Sequence, residues 1–310
     1  MIGIQDKKLI SRANLYLPRH GLGTGLLGEQ TEKTAICTIQ TAFSQGISFF
    51  DTAPLYGSGK SEQYLGHALS VVKRSNFLIA SKVGRLVQAD GSCKFDFSRD
   101  GVMRSLEQSL KRLKMDYVDI LHIHDPDHHY KQALDEAYPV LAELRAQGVV
   151  KVIGVGMNQW QMLRNFAENA DFDCFLLAGR YTLLEQTALP FLNLCAARQI
   201  AVILGGVFNS GILASDLNQG AHYNYHDAPR DILEKAHKLA ASCHDMGLSL
   251  KAAALHFPYL HKAVSSVVVG ATTPEEVLDN LQNLTIDVPA EFWNTLKIKG
   301  LLQEGVPTSR

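Results

Sequence analysis

Residues 99–124 read RDGVMRSLEQSLKRLKMDYVDILHIH. Positions 99–114 carry the spacing of an amphipathic helix, and 117–124 form an almost continuously apolar strand. Such a strand suits burial on both faces, as in a parallel sheet. The pattern repeats in both directions. Further strand-like runs are ISFFD (47–51), NFLIASKV (76–83), VVKVIGVG (149–156), FDCFLLA (172–178), IAVILGG (200–206) and SSVVVG (265–270), with a weaker one near 20–25. Helical patterns alternate with them at 31–46, 61–71, 131–147, 159–169, 187–199, 231–246 and 274–284. About eight strand–helix units with no linker predict an α/β fold, a (β/α)8 TIM barrel spanning residues 1–310 as one domain. LISRANLYLPRH (9–20) would be an N-terminal β-hairpin closing the bottom of the barrel, and 289–302 an extra C-terminal helix.

Composition narrows the function. The chain has 310 residues, 46% hydrophobic and 20% charged, with 30 Lys+Arg against 31 Asp+Glu. A net charge of −1 offers no footprint for nucleic acid or an anionic membrane surface. The longest apolar stretches, such as AVILGGVF at 201–208, fall short of the ~18–20 residues that a membrane helix needs. The N-terminus lacks the apolar core of a secretory signal. Five scattered cysteines without a CxxC pair fit a reduced, cytoplasmic setting.

Gly23-Thr24-Gly25-Leu26-Leu27-Gly28 matches G-x-G-x-x-G, and Asp51 follows after a helix and a strand. This imitates a Rossmann dinucleotide fingerprint. The preceding Leu17-Pro18-Arg19-His20 is, however, a poor buried strand, because Pro lacks a ladder donor and Arg and His are polar. A tight strand-to-helix turn is the better reading of these glycines.

Four polar residues stand at the C-terminal ends of successive strands, where barrel active sites are built. Asp51 closes the second strand, Tyr56 follows in its loop, Lys82 lies near the end of the third and His124 ends the fourth. A Tyr hydroxyl is a poor base at neutral pH, and a neighbouring Lys ammonium is expected to lower its pKa. Asp would hold the Lys, and His would orient the reacting oxygen. Tyr56 then becomes the general acid or base of a carbonyl/alcohol interconversion whose hydride belongs to a cofactor. His122, in phase with His124, is the rival for the fourth role.

FFDTAPLYGSGKSEQYLGHAL, SKVGR, RSLEQSLKRLKMDYVDILHIHDPD, GVVKVIGVG and VVVGATTPEEVLDNL together resemble the aldo-keto reductase superfamily over almost the whole chain. The resemblance implies a barrel that binds an extended nicotinamide dinucleotide, with an Asp/Tyr/Lys/His tetrad falling on Asp51, Tyr56, Lys82 and His124. His124 is preferred because the family's His stands two residues before a Pro, here Pro126. FDFSRDGVMRSLEQSL, HDPD, FDCFLLAGRYTLLEQ, FNSGIL and YNY are similar to the branch containing sugar and pyridoxal dehydrogenases. Both substrates close a hemiacetal whose oxidation gives a lactone.

The resemblance also implies cofactor contacts. Gly270 and Ala271 replace the Lys-Ser pair, and Glu276 the Arg, that typically meet a 2′-phosphate. A carboxylate there repels NADP and can accept from a free ribose hydroxyl, so NAD is the expected cofactor. Thr272 belongs to this stretch, and Asp279 and Asn280 match adenine-contacting positions. Asn158 matches the carboxamide contact. Gly205 stands where an aromatic usually stacks on nicotinamide, and Ala178 replaces a Gln. Gly206, Phe208, Asn209, Ser210 and Gly211 match the loop covering the pyrophosphate. Arg180, Tyr181, Tyr223 and Tyr225 are candidates to line the site of a sugar or pyridoxal-like small molecule. His122, His124, His128 and His129 match no zinc signature, and no metal is expected. The sequence leaves the particular substrate and the oligomeric state open.

Overall fold

The computed structural model describes residues 3–88, 90–217, 221–224 and 226–309. Its strands are β1 (Lys7–Ile10), β2 (Leu15–Pro18), β3 (His20–Gly23), β4 (Phe49–Asp51), β5 (Leu78–Val83), β6 (Arg85–Val87), β7 (Cys93–Phe95), β8 (Ile120–His124), β9 (Val152–Met157), β10 (Cys174–Ala178), β11 (Ala201–Gly205), β12 (His222–Tyr223), β13 (His226–Asp227) and β14 (Val264–Gly270). β3, β4, β5, β8, β9, β10, β11 and β14 close into a parallel barrel. The eight expected strands are the eight found.

The helices are α1 (Glu32–Ser44), α2 (Lys60–Leu69), α3 (Arg99–Leu113), α4 (Tyr130–Gln132), α5 (Tyr138–Ala146), α6 (Trp160–Asn169), α7 (Leu189–Ala197), α8 (Arg230–His244), α9 (Leu250–His256), α10 (Pro274–Leu284) and α11 (Ala290–Ile298). β1 and β2 form the anticipated hairpin, and α11 is the extra C-terminal helix. α9 was not separable by periodicity: Ala252, Ala253, Ala254, Leu255 and His256 are all buried, so no polar face marks it.

Two cores follow from strand alternation. One face of each barrel strand packs outward against the helices, as with Phe50, Ile79, Leu121 and Ile153. The other fills the barrel with Phe49, Ala80, Ile120, Val152, Cys174, Leu176, Ile203 and Val268. Buried carboxylates help to fix the strand starts. Asp119 accepts from the Ile79 N–H (3.0 Å) and pairs with Arg74 (2.7 Å) and Lys151 (2.8 Å). Asp173 accepts from the Ile153 N–H (2.9 Å) and pairs with Arg145 (2.7 Å).

Candidate active site

The opposite rim holds the chemistry. Thr24 fixes the end of β4 by donating both its N–H (2.9 Å) and its Oγ (3.0 Å) to the Asp51 carbonyl. Ser61 of α2 donates to the Thr24 hydroxyl at 2.7 Å. Asp51 is thereby held with its side chain inside the barrel, 4% exposed. Lys82, 1% exposed, donates to Asp51 Oδ1 at 2.7 Å and to the Thr52 carbonyl at 2.9 Å. The chain beyond β4 turns through Gly57 (φ 56°), Ser58 (φ 52°) and Gly59 (φ 90°) into α2. That turn lays the half-buried Tyr56 ring 4.7 Å from Lys82 Nζ. His124 meets Tyr56 edge-on, with centroids 5.9 Å apart and planes at 89°.

The four strand-end residues therefore form one cluster, and its electrostatics are uneven. Burial pushes the Asp51 carboxyl up, and the Lys82 ammonium opposes it. Burial also works against the Lys82 ammonium, but the charges of Asp51 and Tyr56 outweigh it and hold Lys82 protonated. For Tyr56 the outcome corrects the expectation of a lowered pKa. Burial raises its phenol above the ordinary value, and Lys82 only partly offsets that. Burial, then Lys82, Arg85 and His122, push His124 well down, so its imidazole is neutral.

His122 sits one pleat below His124, paired in register with Lys82 and fully buried. Its Nε2 lies 3.4 Å from the Cys174 thiol, and burial with the Lys82 charge lowers its pKa to about 3. It is a neutral element of the barrel floor. Of the two histidines, His124 is the one beside Tyr56.

A second group of residues lies on the loops after β11 and β14. Gly206 (φ 63°), Asn209 (φ 47°), Ser210 (φ 60°) and Gly211 (φ 96°) curl the first loop through left-handed backbone. Asn209 turns inward, accepting from the Thr182 hydroxyl and donating to the Gly179 carbonyl at 3.1 Å. Its side chain thus holds the loop in place. The N–H groups of Asn209 and Gly211 are likewise committed to carbonyls within the loop. The Phe208 ring faces the Lys251 ammonium at 5.4 Å, and Lys251 pairs with Asp279. Lys251 lies in the first turn of α9, the helix that the sequence did not resolve.

At the head of α10, Glu276 accepts from the Thr272 N–H (2.7 Å) and hydroxyl (3.0 Å). Asn280 donates to the Gly270 carbonyl at 3.4 Å, while its buried Oδ1 has no partner among the described residues. Asn158 is half-buried just beyond β9. The rim between these groups is glycine-lined. A Cβ at Gly205 would meet nothing nearer than 3.7 Å, and one at Gly23 or Gly270 nothing nearer than 3.8 Å. A rim without side chains at these three positions, an orphaned amide oxygen at Asn280 and an acidic helix head fit a dinucleotide.

The remaining candidates divide. Arg180 pairs with Glu185 (3.2 Å) and donates to Asn224 Oδ1 (3.0 Å), and the Tyr223 hydroxyl donates to the same Glu185. This knot docks segment 221–224 beside the loop after β10. Tyr181 is not part of it. At 1% exposed, with its ring 5.1 Å from Phe257 and 5.7 Å from His261, it belongs to the packing outside the barrel and leaves the substrate set. Tyr225 lies outside the described residues. Two residues that sequence reasoning left unassigned reach the cluster: Asp125, beside His124, and Arg85, paired with it at 2.6 Å.

A parallel barrel with this constellation on its C-terminal rim is the architecture of an oxidoreductase class. The aldo/keto reductase family model matches residues 20–300, and the chain belongs to that family. It is 36% identical to pyridoxal 4-dehydrogenase of Microbacterium luteolum over 96% of this chain and 98% of that protein. It is 34% identical to D-threo-aldose 1-dehydrogenase of a Pseudomonas species, over 92% and 94% respectively. In fold it matches the holo form of the aldo-keto reductase AKR11C1 from Bacillus halodurans at TM-score 0.80, with 23% identity and 97% of each chain covered.

Proposed function

We propose that this chain is an NAD-dependent dehydrogenase that oxidises an aldose of the L-fucose type at its hemiacetal carbon, giving a lactone. The observation that carries the reading is Lys82, locked on Asp51 at 2.7 Å with its ammonium 4.7 Å from the Tyr56 ring. Tyr56 is the base that takes the C1 hydroxyl proton. Lys82 stabilises the phenolate, Asp51 keeps Lys82 charged and aimed, and neutral His124 orients the C1 oxygen. A bound nicotinamide dinucleotide supplies the hydride acceptor. Gly206, Phe208, Ser210, Gly211, Gly270, Thr272, Glu276, Asp279, Asn280 and Asn158 would hold it. The preference for NAD rests on Glu276, and on Lys251 being already paired with Asp279. Arg180 and Tyr223 would border the substrate. Residues 1–310 are read as one cytoplasmic barrel domain.

Pyridoxal oxidation by the same groups is the second reading, favoured by the 36% identity to a pyridoxal 4-dehydrogenase. Following absorbance at 340 nm with NAD⁺ or NADP⁺ against L-fucose, L-galactose, D-arabinose and pyridoxal decides between them. NADH formation with the sugars supports the aldose reading, a response to pyridoxal alone replaces it, and silence throughout rejects both.

A further inference from the structure

Asp125 follows β8 and Arg85 belongs to a separate short strand, yet their charges meet beside the catalytic cluster. Arg85 opens β6, and its Nη1 lies 2.6 Å from Asp125 Oδ2. The guanidinium rests 5.2 Å from the Phe95 ring, which stacks on His129 at 5.1 Å. Asp125 takes a left-handed backbone (φ 41°) while its N–H donates to the Gly156 carbonyl at 3.0 Å. Its carboxylate is thus fixed, with Oδ2 only 3.5 Å from His124 Nε2. The pair is not sealed in the core: the two side chains are 21% and 25% exposed. Arg85 Nε is a buried donor without an acceptor among the described residues.

A carboxylate is an expensive neighbour for a site whose base is a phenol, since its charge opposes the phenolate. Nothing in the four-residue chemistry asks for it. A sugar does. When the C1 oxygen sits within hydrogen-bond reach of His124 Nε2, the hydroxyl on the next carbon is one hydrogen-bond length further on. That places it within reach of the carboxylate beside the same ring nitrogen.

We propose that Asp125, held by Arg85, accepts a hydrogen bond from the substrate hydroxyl on the carbon next to the one oxidised, C2 of an aldose. The inference rests on the dehydrogenase reading above and names the feature of the substrate that it selects. A neutral alcohol donates to this carboxylate, whereas an ionised phenol oxygen at the corresponding place cannot.

The test compares D-arabinose with 2-deoxy-D-erythro-pentose, which differ only by the C2 hydroxyl. For the unaltered protein kcat/KM should favour D-arabinose by about 10- to 100-fold, the worth of a hydrogen bond to a charged group. Asp125→Asn, whose side chain tolerates the left-handed backbone, should reduce that ratio to below about 3-fold by losing activity on the hydroxylated sugar alone. Arg85→Gln, which leaves the carboxylate in place but unclamped, should raise KM for D-arabinose with little change in kcat. Equal losses on both sugars in Asp125→Asn, or no preference in the unaltered protein, overturn the proposal. If neither sugar is oxidised, the dehydrogenase reading fails, and calorimetric titration of the two sugars becomes the readout. Preferential D-arabinose binding that Asp125→Asn removes keeps the inference, and equal or absent binding ends it.

Discussion

The backbones of Gly28 and Gly57 touch: a Cβ on Gly28 would lie 2.6 Å from Gly57 Cα, and one on Gly57 2.5 Å from Gly28 Cα. Gly28 is the last glycine of the stretch that mimics a phosphate-binding fingerprint. Its work here is to let the loop after β3 pass under the turn that carries Tyr56. Gly28→Ala must push that turn by tenths of an ångström, because no flexible side chain is present to give way. We expect kcat to fall about 100-fold, the scale of a small misplacement at a reacting group, with a stability loss of about 1–3 kcal/mol from overpacking. Gly300→Ala serves as the control: its φ is 68°, but nothing lies within 4 Å of the new Cβ, so it should cost stability alone. Kinetics and thermal melts of the two variants check both statements.

The Lys82–Asp51 pair separates chemistry from folding. Tyr56→Phe removes the proposed proton acceptor and its hydrogen bond with Lys82, but leaves Lys82 bonded to Asp51 and to the Thr52 carbonyl. It should abolish turnover while the melting temperature and NAD⁺ binding persist. Lys82→Met leaves Asp51, 4% exposed, as an uncompensated buried carboxylate, which typically costs 3–5 kcal/mol. That variant should lose activity and stability together. Retained activity in Tyr56→Phe would remove Tyr56 from the mechanism.

The raised pKa of Tyr56 fixes the direction of the pH profiles. Oxidation needs the phenolate, and burial displaces the phenol upward, so log kcat for oxidation should climb through the alkaline range without a plateau near neutrality. Carbonyl reduction needs the protonated phenol and should be flat through neutral pH, declining only above the pKa of the phenol, where oxidation levels off. A plateau for oxidation near pH 7 would mean that the phenol is lowered instead.

Much of this was legible in the chain and some was not, for reasons that particular residues make plain. The barrel strands are buried on both faces, so each appeared as an unbroken apolar run. Asp51, Lys82 and His124 stood out because each interrupts such a run near its end, where a barrel gathers its chemistry. The Arg85–Asp125 pair joins the first residue of β6 to the residue just past β8, and no local pattern announces it. Tyr181 failed because the sequence does not say toward which side a residue just past a strand turns. The direction of the Tyr56 shift failed because burial, which dominates it, is a property of the assembled site. The Lys82 contribution was foreseen with the right sign and is simply outweighed.

Acid should unfold this protein through its buried histidines. His20, 2% exposed with its Nδ1 3.3 Å from the Tyr259 hydroxyl, is held by burial at a pKa of about 4. His122 is held at about 3. Both folded values lie below that of an unfolded imidazole, near 6.5. Below that pH the unfolded chain binds protons that the folded chain refuses. The contribution of these histidines is therefore intact above pH ~6.5 and is lost as pH falls toward about 4 for His20 and about 3 for His122, on the order of 3 kcal/mol for His20. Melting temperatures between pH 8 and 4 should decline over that window, and the slope should lessen in His122→Gln. An unchanged slope would mean that His122 is already protonated in the folded state.

The proposed cofactor choice rests on the carboxylate at the head of α10. Glu276 caps that turn through the Thr272 N–H and hydroxyl, and under the proposed reading it also sets a negative charge toward the 2′ position of the cofactor. Glu276→Gln keeps an acceptor for Thr272 and removes the charge. Its NADP⁺ affinity should rise about 10-fold, equivalent to ~1.4 kcal/mol, while NAD⁺ affinity changes little and the cap survives. Glu276→Arg replaces repulsion by attraction and should raise NADP⁺ affinity further, at a stability cost of about 1 kcal/mol for the lost cap. Lys251 does not substitute for this cation, because Asp279 already neutralises it. Asp279→Ala releases that ammonium and should itself improve NADP⁺ binding. Calorimetric titration of both dinucleotides against the three variants measures each effect. If none of them alters the NAD⁺/NADP⁺ ratio, the acidic head of α10 does not select the cofactor.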